Sequence, residues 1–329
     1  MASSYRIYSL LSEQWKTRVL QSAIKLKVFT QLARRPLTGD ELRTALGLRA
    51  ERRATVDFFD VLVALGLLLR TDEHYRNSAE ASEYLDENKP ALFVGDAINE
   101  FLTLPSVDLT EALLDGPATT SAQEFHAMQY ATADGVARFL RIMTVVSAGP
   151  AQSMAKKFPW HRYDSFVDVG CAEGALVARV LCTHPHLTAV GFDLPVTQQR
   201  FEDYTAAAGV ADRVRFQPGD FFLDPLPEAD VVVLGQVLHN WNLAQKHELI
   251  TKAYDALPHG GTIVVYEVML DEERHDLLPL LVSLSMNLVL GEGAAFTGAE
   301  CRQWLHQAGF QKIYLEQLDG SRSMVVGIK

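Results

Sequence analysis

His239 stands in the run Leu238-His239-Asn240-Trp241. An imidazole titrates at about pH 6.5, so it can take a proton from a phenol or a similar acid near neutrality. A lone histidine is more often structural. This one directly follows the β-branched run Val231-Val232-Val233-Leu234, where the end of a strand would deliver it to a ligand. Glu267, at the end of a later run beginning at Thr262, could hold the imidazole in one tautomer. Three further groups suit an adenosine-containing molecule. In Asp168-Val169-Gly170-Cys171-Ala172-Glu173-Gly174, small residues let a backbone turn approach a ligand closely, although an ordinary tight turn reads the same. Asp193, 19 residues after Gly174, could accept hydrogen bonds from both hydroxyls of a ribose, or cap the next helix. In Gly219-Asp220-Phe221-Phe222, Asp220 could accept from an adenine amino group while Phe221 packs on the ring; the alternative is a turn aspartate followed by core aromatics. No HExxH, no His/Cys cluster and no carboxylate beside His239 is present, so no metal is expected.

These residues need strand ends to hold them. From about residue 165 short apolar runs alternate with amphipathic stretches. The spacing predicts strands at Ser165–Gly170, Thr188–Asp193, Val214–Gln217, Val231–Leu234 and Thr262–Tyr266, with helices at Ala175–Thr183, Gln198–Ala208 and Lys246–Ala256. Such alternation means βαβ units and a parallel sheet, with ligands at the carboxyl ends of its strands.

Before residue 165 the periodicity is helical. Leu10, Leu11, Trp15, Val19, Leu20, Ala23 and Ile24 share one face of a first helix, an apolar face that needs a partner. Thr38 and Glu41 form a capping box for a second helix that Gly47 ends, and a third runs from Ala50 to Leu65 with Gly66 as its cap. Strands at Leu67–Arg70 and Tyr75–Arg76, on either side of a turn, complete a winged helix. Arg49, Arg52 and Arg53 would open its recognition helix if it bound DNA; as solvated charges they suit a packing or dimerisation domain, which is the reading taken. Residues 85–165 are again helical, with breaks expected at Pro90, Pro105, Gly116-Pro117 and Pro150. The apolar and aromatic residues there (Phe93, Phe101, Phe125, Met128, Tyr130, Phe139, Met143) are mainly core, the rest lining a small-molecule pocket.

Composition agrees. The 329 residues suggest about two domains. Thirty Lys and Arg against 41 Asp and Glu give a net charge of −11, which argues against nucleic acid as the main partner. Three cysteines without CxxC spacing fit a reducing cytoplasm rather than a disulfide scaffold. The opening segment lacks a secretory pattern, and no apolar stretch approaches the ~18 residues of a membrane span.

Taken in order, Asp168-Val169-Gly170…Gly174, Phe192-Asp193-Leu194-Pro195, Gly219-Asp220-Phe221, Leu238-His239-Asn240-Trp241, Gly260-Gly261 and Ala308-Gly309-Phe310 resemble the cation-independent small-molecule O-methyltransferases. That family includes caffeic acid, hydroxyindole, phenazine and polyketide-tailoring enzymes. The resemblance covers nearly the whole chain. It implies an α/β, Rossmann-like catalytic domain over 165–329, a helical substrate-pocket region over 101–164 and an N-terminal helical winged-helix dimerisation domain over 1–100. It implies S-adenosyl-L-methionine as cofactor, a homodimer, and a small, aromatic secondary metabolite as methyl acceptor. Residue by residue, Gly170 falls at the methionine part, Asp193 at the ribose with Leu194 beside it, Asp220 and Phe221 at the adenine, and Ser147 near the cofactor carboxylate. Met143 and Asn240 fall on the substrate side, His239 becomes the general base and Glu267 its orienting partner. Three positions depart from the family pattern. Ala172 replaces the middle glycine of the loop, Asn240 replaces an acidic residue after the histidine, and Ala295 stands where a second orienting carboxylate is usual. With less negative charge around His239, methylation at carbon or nitrogen, or a reaction that uses the cofactor without transferring its methyl, remains an alternative.

Overall fold

A computed structural model describes residues 5–89, 93–95, 98–99, 109–116, 121–320 and 322–329. The expected breaks at Pro90, Pro105 and Pro117, and Phe101, lie outside the described residues. The chain divides into two compact units, Met1–Leu104 and Pro105–Lys329.

The first unit packs helices α1 (Tyr5–Lys25), α2 (Val28–Leu32), α3 (Gly39–Ala45), α4 (Arg52–Ala64) and α5 (Ala79–Tyr84) with a small antiparallel sheet. Its strands are β1 (Leu37–Thr38), β2 (Leu68–Thr71) and β3 (His74–Asn77), in the order β1-β3-β2. The capping box starts α3: Thr38 Oγ1 accepts from Glu41 N at 3.3 Å and Glu41 Oε2 accepts from Thr38 N at 2.8 Å. Strands β2 and β3 form the wing in register, Arg70 opposite Tyr75. Strand β1 is an addition the sequence pattern did not announce. The core gathers Ala23, Ile24, Phe29, Leu42, Phe59, Leu62 and Tyr75. The other end of the α1 stripe stays outside: Leu10, Leu11 and Trp15 are each about two-thirds exposed. Arg52 pairs with Asp40 at 2.9 Å and Arg53 reaches Asp57 at 4.0 Å.

The second unit starts with α6 (Leu109–Asp115), α7 (Ala122–Gln129) and α8 (Ala133–Lys157). Helix α8 corrects the expectation of a break at Pro150, since it runs straight through that residue. A proline costs the helix one backbone bond, and the burial of Ala151, Met154 and Ala155 in the core holds the following turn in place.

The sheet then builds from β4 (Ser165–Val169), α9 (Ala175–Thr183), β5 (Thr188–Asp193), α10 (Gln198–Ala207), β6 (Val214–Pro218), β7 (Val231–Gly235), α11 (Leu243–Ala256) and β8 (Thr262–Val268). Helices α12 (Leu277–Leu290) and α13 (Gly298–Gln307) and strands β9 (Gln311–Asp319) and β10 (Arg322–Ile328) follow. The order across the sheet is β6-β5-β4-β7-β8-β10-β9. The first five strands are parallel as the alternation predicts, and β10 and β9 add antiparallel pairs at one side. Because side chains alternate along a strand, Val232 and Leu234 enter one core with Leu249, Ile250 and Trp304, whereas Val231 and Val233 enter another with Leu176, Val180 and Met154. Helices therefore cover both faces, and the carboxyl edge of the parallel strands is left to form a site. Among the described residues no helix is long and apolar enough to cross a membrane.

Candidate active site

A cavity of about 630 Å³ opens in the second unit at the ends of β4, β5, β6 and β7. Gly170, Asp193, Leu194, Asp220, Phe221, Ser147, Met143 and Asn240 all line it. His239 and Glu267 do not belong to its lining, although Asn240 does.

The loop after β4 is shaped by backbone conformations that side chains resist. Gly170 has φ +77°, and a Cβ there would lie 2.9 Å from Val237 Cγ2. Ala172 takes a left-handed φ of 50°, which is strained for a residue with a Cβ. Its N–H donates to Asp193 Oδ2 at 2.8 Å, and Leu194 N donates to Oδ1 at 2.7 Å. Asp193 thus ties the end of β5 to the loop after β4 while it faces the cavity. Burial pushes its carboxyl up to about 6, opposed by those two N–H groups. Asp168, also buried and in the lining, is pushed up to about 7 by burial and then by the charge of Asp193.

Asp220 meets both readings given to it. Its Oδ1 accepts from Phe222 N at 2.8 Å, the bond of a turn, yet the residue lines the cavity with Phe221. Phe221, Phe222 and Trp241 pack edge to face, with ring centroids 4.7–5.6 Å apart. Ser147 Oγ accepts from Gln236 Nε2 at 3.2 Å, and both stand close enough to the buried Tyr266 hydroxyl to favour its ionised form. Tyr266 takes its place because position 235 is glycine: a Cβ there would lie 2.1 Å from the Tyr266 ring.

His239 sits in a short 3-10 turn, Leu238–Asn240, after β7. Its Nδ1 is hydrogen-bonded to Glu267 Oε2 from the neighbouring strand β8, and its backbone N donates to Glu267 Oε1 at 3.4 Å. Glu267 is wholly buried, while the imidazole keeps 15% of its side-chain surface exposed. The segment containing Ala295 packs on this turn, since a Cβ on Gly293 would lie 2.8 Å from His239 O. Ala295 is buried, and a cation comes close instead. Lys246 Nζ donates to Ala294 O at 3.1 Å, lies over the Phe296 and Trp304 rings, and is within electrostatic reach of Glu267.

Other cavity residues went unassigned in the sequence. Asp168 belongs to the glycine-loop motif and could have been noticed there. Glu173 accepts from Thr144 Oγ1 at 2.7 Å and from Arg200 NH1 at 3.1 Å, joining α8, the loop and α10. Tyr130, Phe139 and Met143 line the cavity, Phe125 packs against the core and Met128 is exposed. His126 carried no signal as a single residue. Among the described residues no group of three His, Cys, Asp or Glu side chains is arranged to hold a metal.

S-adenosylmethionine fits these residues. Two carboxylates, the buried Asp168 and the half-buried Asp193, face a space where neither has a cationic side chain as partner, so a positively charged molecule relieves them. The loop at Gly170 leaves no room for a side chain, and the aromatic wall beside Asp220 suits a flat base. Comparison with known proteins agrees. Residues 109–311 match the O-methyltransferase domain and residues 8–87 the O-methyltransferase dimerisation domain. The chain is 40% identical to the tetracenomycin polyketide synthesis 8-O-methyl transferase TcmO of Streptomyces glaucescens, over 98% of this chain and 96% of that one. It is 32% identical to the N,N-dimethyltransferase OxyT of Streptomyces rimosus, over 97% and 94%. Human N-acetylserotonin methyltransferase, solved in complex with SAM, superposes with a TM-score of 0.83 at 26% identity, over 100% of this chain and 98% of that chain. With its strand-end carboxylates, its histidine–glutamate pair and a matching N-terminal unit, the chain belongs to the S-adenosylmethionine-dependent O-methyltransferase family.

Proposed function

We propose that the chain methylates an oxygen of a small aromatic secondary metabolite, with His239 as general base and Glu267 as the residue that orients it. The observation that carries this reading is the bond between His239 Nδ1 and a wholly buried carboxylate. It fixes the tautomer and leaves Nε2 as the nitrogen that takes the hydroxyl proton of the acceptor. The positive charge then formed on the ring is countered by Glu267, and the proton later leaves to solvent. S-adenosylmethionine, when bound, supplies an electrophilic methyl group on a sulfonium for the deprotonated oxygen. The chain's own contribution is alignment and exclusion of water. Gly170, Asp193, Leu194, Asp220, Phe221 and Ser147 would hold the cofactor, and Met143 and Asn240 would border the acceptor. The expected experiment is His239→Ala, which should lower turnover by about two to four orders of magnitude while cofactor affinity stays unchanged. Undiminished turnover would remove His239 from the role.

The likeness to an N,N-dimethyltransferase favours nitrogen as a second acceptor class. Mass spectrometry of products made with methyl-labelled cofactor, offered phenolic and amine acceptors, separates the two. The matched dimerisation domain and the exposed Leu10, Leu11 and Trp15 support a homodimer, and the cysteine usage supports a cytoplasmic one.

A further inference from the structure

Two side chains of the cavity wall each carry a ring nitrogen without a partner. His126 Nδ1 and Trp241 Nε1 are buried, and neither makes a hydrogen bond among the described residues. Both residues line the cavity, and their rings lie 5.9 Å apart. Native structures leave few buried polar atoms unpaired, so two of them on neighbouring rings call for a reason. His126 stands near the end of α7, whose first turn is capped by Ser121 Oγ accepting from Glu124 N at 3.2 Å. Tyr130 stacks on its imidazole at 6.1 Å, and Phe125 and Phe139 meet it edge-on at 5.5 and 5.6 Å. Burial, and then the nearby His239, push the imidazole down to about 4. It is therefore uncharged at neutral pH, with one nitrogen to donate and one to accept. Trp241 Nε1 can only donate. Trp241 closes the turn that holds His239, so a molecule touching His126 lies beside that turn.

We propose that His126 recognises the acceptor by hydrogen-bonding a second oxygen beside the hydroxyl to be methylated, so that the preferred substrates are flat phenols flanked by a hydroxyl or carbonyl group. The aromatic rings around His126 supply the faces on which such a molecule stacks. A site built to hydrogen-bond an oxygen rejects an analogue lacking it far more strongly than an apolar pocket would. The inference rests on the O-methylation reading, and the two fail separately in the following experiment.

Dissociation constants of 1-naphthol and 1,8-dihydroxynaphthalene are measured by calorimetry on the cofactor-loaded enzyme, for the wild type, His126→Phe and His126→Gln. Methyl transfer from labelled cofactor is followed in parallel. The phenylalanine keeps the aromatic wall and removes the nitrogens; the glutamine restores polar atoms. Wild type should bind the dihydroxy compound more tightly. His126→Phe should weaken that binding about 10- to 100-fold and leave 1-naphthol within about threefold, and His126→Gln should recover part of the loss. Equal losses for both compounds, a wild type that does not distinguish them, or one that binds neither would overturn the proposal. Binding with the expected pattern but no labelled product would instead defeat the O-methylation reading alone.

Discussion

Lowering the pH from 8 to 6 should weaken binding of S-adenosylmethionine about 20-fold. Two carboxyls of the cavity wall, Asp168 at about 7 and Asp193 at about 6, are the cause. A cation gains from them only when they are ionised. For a group of pKa 7 the penalty factor 1 + 10^(pKa − pH) is roughly 11 at pH 6 and roughly 1.1 at pH 8; for pKa 6 it is roughly 2 and 1. The product is the expected ratio, and the two groups titrate as a pair because each charge opposes the other. Isothermal titration of the cofactor across pH 6–8, at constant ionic strength, reads it directly. Asp168→Asn should reduce the ratio to about twofold and lower affinity at pH 8. A flat profile in the wild-type protein would refute the idea that these carboxylates receive the cofactor's charge.

The same carboxyl has an opposite effect on the empty protein. Folded Asp168 keeps its proton to about pH 7, whereas an aspartate in the unfolded chain releases it at about pH 4. Between those values the folded state binds the extra proton, so stability declines as pH rises across that window; Asp168→Asn should raise the melting temperature of the cofactor-free protein at pH 8 by a few degrees, on the order of 1–2 kcal/mol. Glu267→Gln preserves the shape of the pair and removes its charge, and turnover should drop by roughly one to two orders of magnitude with unchanged cofactor affinity in calorimetry. Gly235→Ala places a methyl inside the Tyr266 ring and should cost about 1–3 kcal/mol in denaturant unfolding, a loss that Tyr266→Ala in the same chain would partly offset. Replacing Leu11 and Trp15 by glutamate should convert a dimer into monomers in analytical ultracentrifugation; an unaltered sedimentation coefficient would place the interface elsewhere.

Strand-end chemistry was legible because each residue follows a local pattern. Asp193 closes a run of buried β-branched and aromatic residues, and His239 follows another, so the topology of a parallel sheet carries both to one edge. The helix at Ala175–Thr183 starts and stops where the alternation predicts. Pro150 misled because a proline was weighed against local backbone bonds, while the burial of its neighbours is decided by residues far along the chain. Strands β9 and β10 escaped notice since β9 is largely exposed and shows no clean alternation. His126 could not be read at all. Its surroundings come from Phe139 on the next helix and from Trp241 beyond β7, and only packing brings those rings together. Lys246 is similar: the missing carboxylate at Ala295 was visible, but not that a lysine on α11 would come close to Glu267.

Strand β10 pairs with β8 along its whole length, placing Ser323 opposite Glu267 and Met324 opposite Tyr266. The glutamate bonded to the imidazole thus rides on a strand whose flanking neighbour is made more than fifty residues after it. While Arg322–Ile328 is still inside the ribosome, β8 pairs with β7 alone and presents an open edge beside Glu267. A nascent chain can pair β4, β5, β6 and β7 earlier, so the edge that carries Asp193 should form before the strand that carries Glu267 is covered.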